Sequence, residues 1–175
     1  MDVTACFDQQ DAEAFFRRKL SALPAFATAQ HLSFELTPPE AADAARTFNA
    51  VVASVEQGAS DGCTFDIEVS SASARINVRH PPADDSGTTP TYENVALTAF
   101  PEGGRFNHVE MRLTADPSGV RVVIQVQKVP ALNHVFSCAK LSSTPSLRLG
   151  LMPPGGAMGG QKNIAFFDNV LFDAK

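Results

Sequence analysis

The sequence predicts an all-β fold of the sandwich or barrel class. Hydrophobic and polar residues alternate with a period of two through much of the chain, and turn-forming segments separate the alternating runs at short, regular intervals. The chain has 175 residues, of which 44% are hydrophobic and 19% are charged. This composition excludes an intrinsically disordered chain and suits one domain with a single buried core. We therefore expect residues 1–175 to form a single β-sandwich domain.

The N-terminal part of the chain gives mixed signals. Residues 12–20 have the apolar spacing of a short helix, and residues 40–46 are Ala-rich enough for a helical turn. Strict alternation predicts a strand over residues 30–37, and a further strand is expected over 48–56. Neither helical segment is flanked by the patterning of a parallel sheet, so the predicted fold class does not change.

Two β-hairpins are the clearest elements in the middle of the chain. The first pairs residues 63–69 with 74–79 across a Ser-rich turn. The second pairs residues 107–115 with 120–126 across the turn Asp116–Gly119. In each hairpin one face is apolar and the other polar, which indicates a sheet with one buried and one solvated side.

Three more strands are expected, over residues 91–100, 146–152 and 163–173. In the last of them, Asp168 has the same parity as the apolar residues Phe166 and Val170. A carboxylate in such a row must be neutralised, bonded to backbone amides, bound to a cation or turned outward by a bulge.

The C-terminal strands and the central hairpin resemble a known family. Phe167–Val170 near the end of the chain, the preceding Ser146–Leu151 and the segment 106–122 are similar to the strands of the concanavalin A-like lectin/glucanase superfamily, which includes LamG-like domains. The resemblance implies a jelly-roll sandwich of two antiparallel sheets, and it makes residues 13–20 a strand. It implies no particular ligand, because a fold does not determine a function.

Asp66 and Glu68 are the nearest candidates for a catalytic pair. The glucanase branch of the superfamily places acidic residues at alternating positions of one strand, and retaining glycoside hydrolysis needs two carboxyl groups in one cleft. Asp66 and Glu68 lie on one face of a predicted strand, but the Glu-x-Asp-x-x-Glu spacing of that branch is absent and no aromatic residue flanks the pair. We therefore expect a solvated outer face here. Motifs of other enzyme classes are also absent from the sequence.

Metal and cysteine chemistry give weaker signals. Related jelly rolls often hold a structural calcium ion between the N-terminus and the last strand, which would recruit Asp168 and Asp8 as candidate ligands. The three cysteines, Cys6, Cys63 and Cys138, lack the spacing of a zinc site. They allow one disulfide of any of three pairings, or buried free thiols.

The composition argues against several kinds of binding function. Thirteen Phe accompany one Tyr and no Trp, so the aromatic residues on which sugars usually stack are nearly missing. The formal net charge of −5 argues against nucleic-acid and anionic-membrane binding, and neither a membrane-spanning run nor a signal peptide is visible.

These observations favour a non-catalytic, lectin-like binding or structural module of a surface or secreted bacterial protein. Its expected partner is a glycan or a protein. The alternatives are a glycan-active hydrolase that uses Asp66 and Glu68, and a protein–protein assembly domain. The resemblance favours an extracellular, periplasmic or cell-surface location.

Overall fold

The computed structural model describes residues 14–19, 29–37, 51–57, 62–69, 73–82, 90–99, 105–138, 141–151 and 166–174. Eleven β-strands lie within these residues, and none of these residues forms a helix long and apolar enough to cross a membrane. The strands are β1 (Ala14–Lys19), β2 (Ala29–Thr37), β3 (Val51–Glu56), β4 (Thr64–Val69), β5 (Ala74–His80), β6 (Thr91–Ala96), β7 (Asn107–Asp116), β8 (Gly119–Val126), β9 (Val129–Phe136), β10 (Ser146–Leu151) and β11 (Phe166–Ala174).

The strands form two antiparallel sheets. One sheet has six strands in the order β1-β10-β3-β4-β5-β6, and the other has five in the order β11-β2-β7-β8-β9. Both predicted hairpins are present, as the pairs β4–β5 and β7–β8. The expected all-β sandwich of two antiparallel sheets is therefore confirmed.

The core lies between the sheets and is built from the apolar parity of each strand. Phe34 and Met111 of the five-stranded sheet and Phe65 and Ile76 of the six-stranded sheet are at most 1% exposed. The ring of Phe65 also packs edge-on against that of Phe136 on β9, with centroids 6.2 Å apart. Phe side chains thus fill the core, as the alternation predicts.

Buried polar groups also join the two sheets. Gln30 on β2 and Gln57 after β3 exchange side-chain hydrogen bonds of 3.1 and 2.6 Å. The Gln30 amide also donates to the Ser142 carbonyl, and the Ser142 backbone N–H donates to Gln57. Because both amides are almost fully buried, their mutual pairing avoids the cost of unsatisfied polar groups.

The structure corrects the sequence analysis at two elements. Residues 14–19 form strand β1, paired with β10, so the helix expected over 12–20 is wrong and the strand implied by the family resemblance is correct. Strand β9 was not expected from the sequence. It is an edge strand that carries Pro130 next to a bulge opposite Ile124 and Gln125, which breaks its alternation.

The last strand contains a bulge directly after Asp168. The register with β2 shifts between Asp168 and Leu171, and Asn169 has a positive φ of 50°. Phe167 is 1% exposed and belongs to the core, whereas Asp168 is half-buried and accepts a hydrogen bond from the Asn169 N–H. The inward parity expected for Asp168 is therefore wrong.

Several expected features lie outside the described residues. These are Asp8, Cys6 and the helical turn over 40–46. The calcium site that would combine Asp168 with Asp8 stays a prediction.

Candidate functional site

The outward side of the six-stranded sheet carries a dense set of polar side chains, which we call the six-stranded face. It comprises Glu56, Thr64, Asp66, Glu68, Arg75, Asn77, Arg79, Tyr92, Asn94, Ser146 and Arg148. Each residue stands at the parity opposite to the core residues of its strand. The charged members are three carboxylates and three arginines, so their formal charges cancel.

Glu68 is the most buried charged residue of this face, with 8% of its surface exposed. Its carboxylate accepts a hydrogen bond of 2.5 Å from Arg75 Nε and one of 3.2 Å from Asn77 Nδ2. Both donors come from β5, which pairs with β4 so that Glu68 lies opposite Arg75. Two donors, one of them cationic, therefore hold this carboxylate in place.

Asp66 stands two residues before Glu68 on the same side of β4, opposite Asn77. Alternate residues of a strand are about 6.6 Å apart along the backbone. Asp66 is half-buried, and the buried Oδ1 atom of Asn77 has no hydrogen-bond partner among the described residues. The two carboxylates thus share one face beside an unsatisfied amide oxygen, and the solvated face expected from the sequence is wrong for Glu68.

A second polar cluster continues the face toward β10. Glu56 accepts a hydrogen bond of 2.5 Å from the Ser146 hydroxyl, and its other oxygen lies 3.4 Å from Arg148 Nε. Arg148 is positioned on β10 by the register of that strand with β3. Arginine and carboxylate groups therefore extend across β10, β3, β4 and β5.

The single tyrosine of the chain lies on the same face. Tyr92 of the edge strand β6 is opposite Arg79 and is 58% exposed. An exposed phenol ring on a polar face is a surface on which a sugar ring can stack. The composition shows that such rings are scarce in this chain, but the position of Tyr92 on the sheet depends on strand pairing.

The outward side of the five-stranded sheet, which we call the five-stranded face, has a different chemistry. His108 on β7 lies between two carboxylates, with Nδ1 3.0 Å from Glu35 and Nε2 2.9 Å from Glu110. Burial acts to lower the pKa of His108, but the hydrogen bonds and charges of Glu110 and Glu35 outweigh it, so the pKa is raised above 6.5. The hydrogen bond from His108 lowers the pKa of Glu110 below 4.5.

A cavity of about 310 Å³ opens beside this second face. Its lining residues are Ala29, Gln30, His31, Arg112, Thr114 and Asp173. The cavity is large enough for a small ligand, but it lies on the five-stranded sheet and does not include Asp66 or Glu68. We place the candidate site on the six-stranded face because the paired carboxylates are there.

The structure brings together groups that the sequence could only name one by one. Asp66 and Glu68 were singled out from their alternation, but Arg75, Asn77 and Arg148 were not. These partners are set by strand pairing, with Arg148 on a strand that follows the pair by about eighty positions in the sequence. The alternation of each strand predicts that these partner residues face outward. It does not predict which strands are neighbours in the sheet, so it could not bring the partners together.

Comparisons with known proteins identify the fold. No protein-family model matches the sequence, and no curated protein matches it. Among solved structures, the chain is similar to an endo-β-1,4-glucuronan lyase from the fungus Trichoderma reesei, with a TM-score of 0.66 and 11% identity over 99% of this chain and 87% of that one. It is also similar to an alginate lyase in complex with an alginate trisaccharide, with a TM-score of 0.59 and 12% identity over 99% and 81% of the two chains.

A third similar structure is the endo-1,3-β-glucanase from Streptomyces sioyaensis, with a TM-score of 0.59 and 10% identity over 91% of this chain and 68% of that one. The chain therefore has the concanavalin A-like jelly-roll fold, as its sequence resemblance implied. These neighbours are enzymes that act on polysaccharides, and they contradict the expectation of a protein without enzyme activity. That expectation relied on missing motifs, which cannot detect a site assembled from several strands.

Proposed function

We propose that this chain is a glycan-active enzyme that cleaves a polysaccharide on the six-stranded face. The observation that carries the proposal is the pair Asp66 and Glu68, placed side by side on β4 and surrounded by hydrogen-bonding and cationic groups. The glycan-active enzymes among proteins of the same fold support it.

The two carboxylates are suited to different roles in hydrolysis. Glu68 is held by Arg75 and Asn77 in a form that accepts hydrogen bonds, which suits a nucleophile or a base. Asp66 would then donate a proton to the leaving oxygen of the glycosidic bond. The backbone spacing of about 6.6 Å between alternate residues is of the order that glycosidases require between their two carboxyl groups.

A second candidate reaction is β-elimination on a polysaccharide that contains uronic acids. The arginines Arg75, Arg79 and Arg148 of the six-stranded face favour it, because a guanidinium group can pair with a sugar carboxylate in two parallel hydrogen bonds. Elimination leaves an unsaturated sugar that absorbs ultraviolet light, whereas hydrolysis leaves only a new reducing end. The two reactions can therefore be separated in one assay.

The test is a polysaccharide panel that contains uncharged β-glucans, glucuronan and alginate, with reducing ends and ultraviolet absorbance measured in parallel. We expect activity on at least one polymer, and we expect Glu68→Gln and Asp66→Asn each to reduce kcat by about a hundredfold or more. Arg112→Ala, which alters the cavity on the other sheet, is the matched control and should leave kcat unchanged.

Two results would overturn the proposal. One is that no polymer is cleaved by the folded protein. The other is that both carboxylate variants keep full activity while Arg112→Ala loses it, which would move the reaction to the cavity of the five-stranded sheet.

A further inference from the structure

Two cysteines join the sheets at one end of the sandwich. Cys63 directly precedes β4 of the six-stranded sheet, and Cys138 follows β9 of the five-stranded sheet. They form a disulfide with a Cα–Cα distance of 6.0 Å, and both residues are at most 5% exposed. The bridge therefore connects the ends of two strands that belong to different sheets, and its two cysteines are 75 residues apart in the sequence.

A histidine completes this cluster. His80 at the end of β5 places Nδ1 3.6 Å from Cys63 Sγ. The ligand atoms of Cys63, His80 and Cys138 all lie within 4.8 Å of one another. The pairing of β4 with β5 explains this arrangement, because Thr64 lies opposite Arg79 and the next pair of positions is Cys63 and His80.

The far side of the imidazole faces a carboxylate. His80 Nε2 lies 3.6 Å from Glu93 Oε2 on the neighbouring strand β6. A histidine that ligates a metal through one nitrogen usually presents the other to a carboxylate or a carbonyl, which fixes the tautomer and strengthens the ligand. Glu93 lies on the Nε2 side of His80, so it is placed to orient the ring while Nδ1 binds the metal.

We propose that Cys63, Cys138 and His80 form a redox-gated site for a zinc-like divalent cation. A dithiol reductant would transfer two electrons and two protons to the bridge, so that the S–S bond breaks and two thiols form while the dithiol becomes a disulfide. Each thiol then releases its proton as the cation binds. Two thiolates and one imidazole nitrogen are a ligand set that Zn²⁺ prefers, with the fourth position left for water.

The site gives the sandwich an inter-sheet link in both redox states. In the oxidised chain the link is the covalent bond, and in the reduced chain it is the cation held between the same two strands. This inference does not depend on the proposed glycan activity, because none of the three ligands belongs to the six-stranded face.

The test is a titration of the whole chain with Co²⁺ and then Zn²⁺, before and after reduction by a dithiol that is removed under inert gas. We expect the reduced protein to bind one equivalent of Co²⁺ with a thiolate-to-cobalt charge-transfer band, to release it to Zn²⁺, and to recover part of the thermal stability lost on reduction. The oxidised protein should bind neither metal.

Single substitutions test which side chains bind the metal ion. His80→Gln should weaken Zn²⁺ binding by at least tenfold, and Glu93→Gln should weaken it by about tenfold to a hundredfold. Cys6→Ser and His108→Gln are controls and should leave the affinity unchanged. The proposal fails if the reduced chain binds no Co²⁺, if His80→Gln binds as tightly as the unchanged protein, or if the reduced chain unfolds and neither metal restores its structure.

Discussion

The two sheets of this sandwich share one core but differ in strand length and in the chemistry of their outer faces. The strands of the five-stranded sheet have 8 to 10 residues, whereas those of the six-stranded sheet have 6 or 7. Charged carboxylates pair with arginine on the six-stranded face and mainly with histidine on the five-stranded face. Arginine keeps its charge at all physiological pH values, whereas histidine does not.

This difference suggests that the two sheets have different roles. We expect the five-stranded sheet to be the more rigid scaffold, because its strands are longer and two-residue turns join β7 to β8 and β8 to β9. Its histidine cluster makes its stability depend on pH. The six-stranded face, on which Glu56 and Glu68 pair with arginines, carries the proposed reaction. We therefore expect changes at the turns and the histidine cluster of the five-stranded sheet to alter stability alone, and changes on the six-stranded face to alter activity as well.

The largest loss of stability is expected from a substitution at the turn between β7 and β8. Gly119 has a φ of +150°, and a Cβ atom there would overlap the carbonyl oxygen of Phe136 on β9. Gly119→Ala should therefore lower the free energy of unfolding by about 3 kcal/mol, measured by urea denaturation, because both the backbone and the neighbouring strand must shift.

Lys128 provides the matched comparison in the next turn of the same sheet. Its φ is +65°, a conformation that glycine adopts more easily than lysine, so Lys128→Gly should be neutral or stabilise by up to about 1 kcal/mol. If Gly119→Ala were as stable as the unchanged protein, the five-stranded sheet would not be the rigid part of the molecule.

The second prediction concerns the stability that the Arg75–Glu68 pair gives to the six-stranded sheet. Arg75→Met removes the cation beside the buried Glu68 carboxylate, and we expect it to lower the free energy of unfolding by about 2 kcal/mol. Arg121→Met removes the arginine beside Asp116, a carboxylate that is more exposed than Glu68 and also accepts hydrogen bonds from Ser118, so it should cost clearly less than Arg75→Met in urea denaturation. Equal losses in the two variants would contradict the idea that the burial of Glu68 makes the loss of its arginine more costly.

The strand pattern explains why much of the fold could be predicted and much of the site could not. Strict alternation identified β2, β4, β5, β7 and β8, because one face of each is buried. It missed β9, whose edge position and Pro130 interrupt the pattern. It also placed Asp168 inward, because a bulge that shifts the register leaves no local mark in the sequence.

The same reasoning applies to the functional groups. Asp66 and Glu68 were predictable because they are two residues apart on one strand. The neighbours of Glu68 on β5 and the meeting of Cys63, His80 and Cys138 depend on which strands pair and on how the sheets stack. Those are long-range properties, so neither the spacing rule for zinc sites nor the search for glucanase motifs could detect them.

The third prediction concerns pH on the five-stranded face. Because the pKa of His108 is raised in the folded state, its contribution to stability is full below about pH 6.5 and is lost as the pH rises through the folded pKa. Because the pKa of Glu110 is lowered, its contribution is full above about pH 4.5 and is lost as the pH falls through the folded pKa. The pair should therefore stabilise most between these two values.

Thermal unfolding of His108→Gln measures this window. The Tm difference from the unchanged protein should be largest near pH 5.5 and should shrink by about pH 8, with a free-energy effect below about 1 kcal/mol because the cluster is partly exposed. Gln125→Ala, on the strand beside Glu110, should show no such pH dependence. A constant Tm difference across the pH range would show that His108 acts through packing alone.

The smallest predicted effect is a change in KM, and it compares the exposed aromatic residue of each sheet. Tyr92 lies on the six-stranded face and is 58% exposed, whereas Phe106 precedes β7 of the five-stranded sheet and is 52% exposed. If a sugar ring stacks on Tyr92, then Tyr92→Ala should raise KM about threefold on the cleaved polymer, which corresponds to a modest stacking energy. Tyr92→Phe keeps the ring and should leave KM unchanged, and Phe106→Ala should have no effect on kcat or KM. A rise in KM for Phe106→Ala alone would place the polysaccharide on the five-stranded sheet, because an exposed ring affects binding only where the chain of sugars passes.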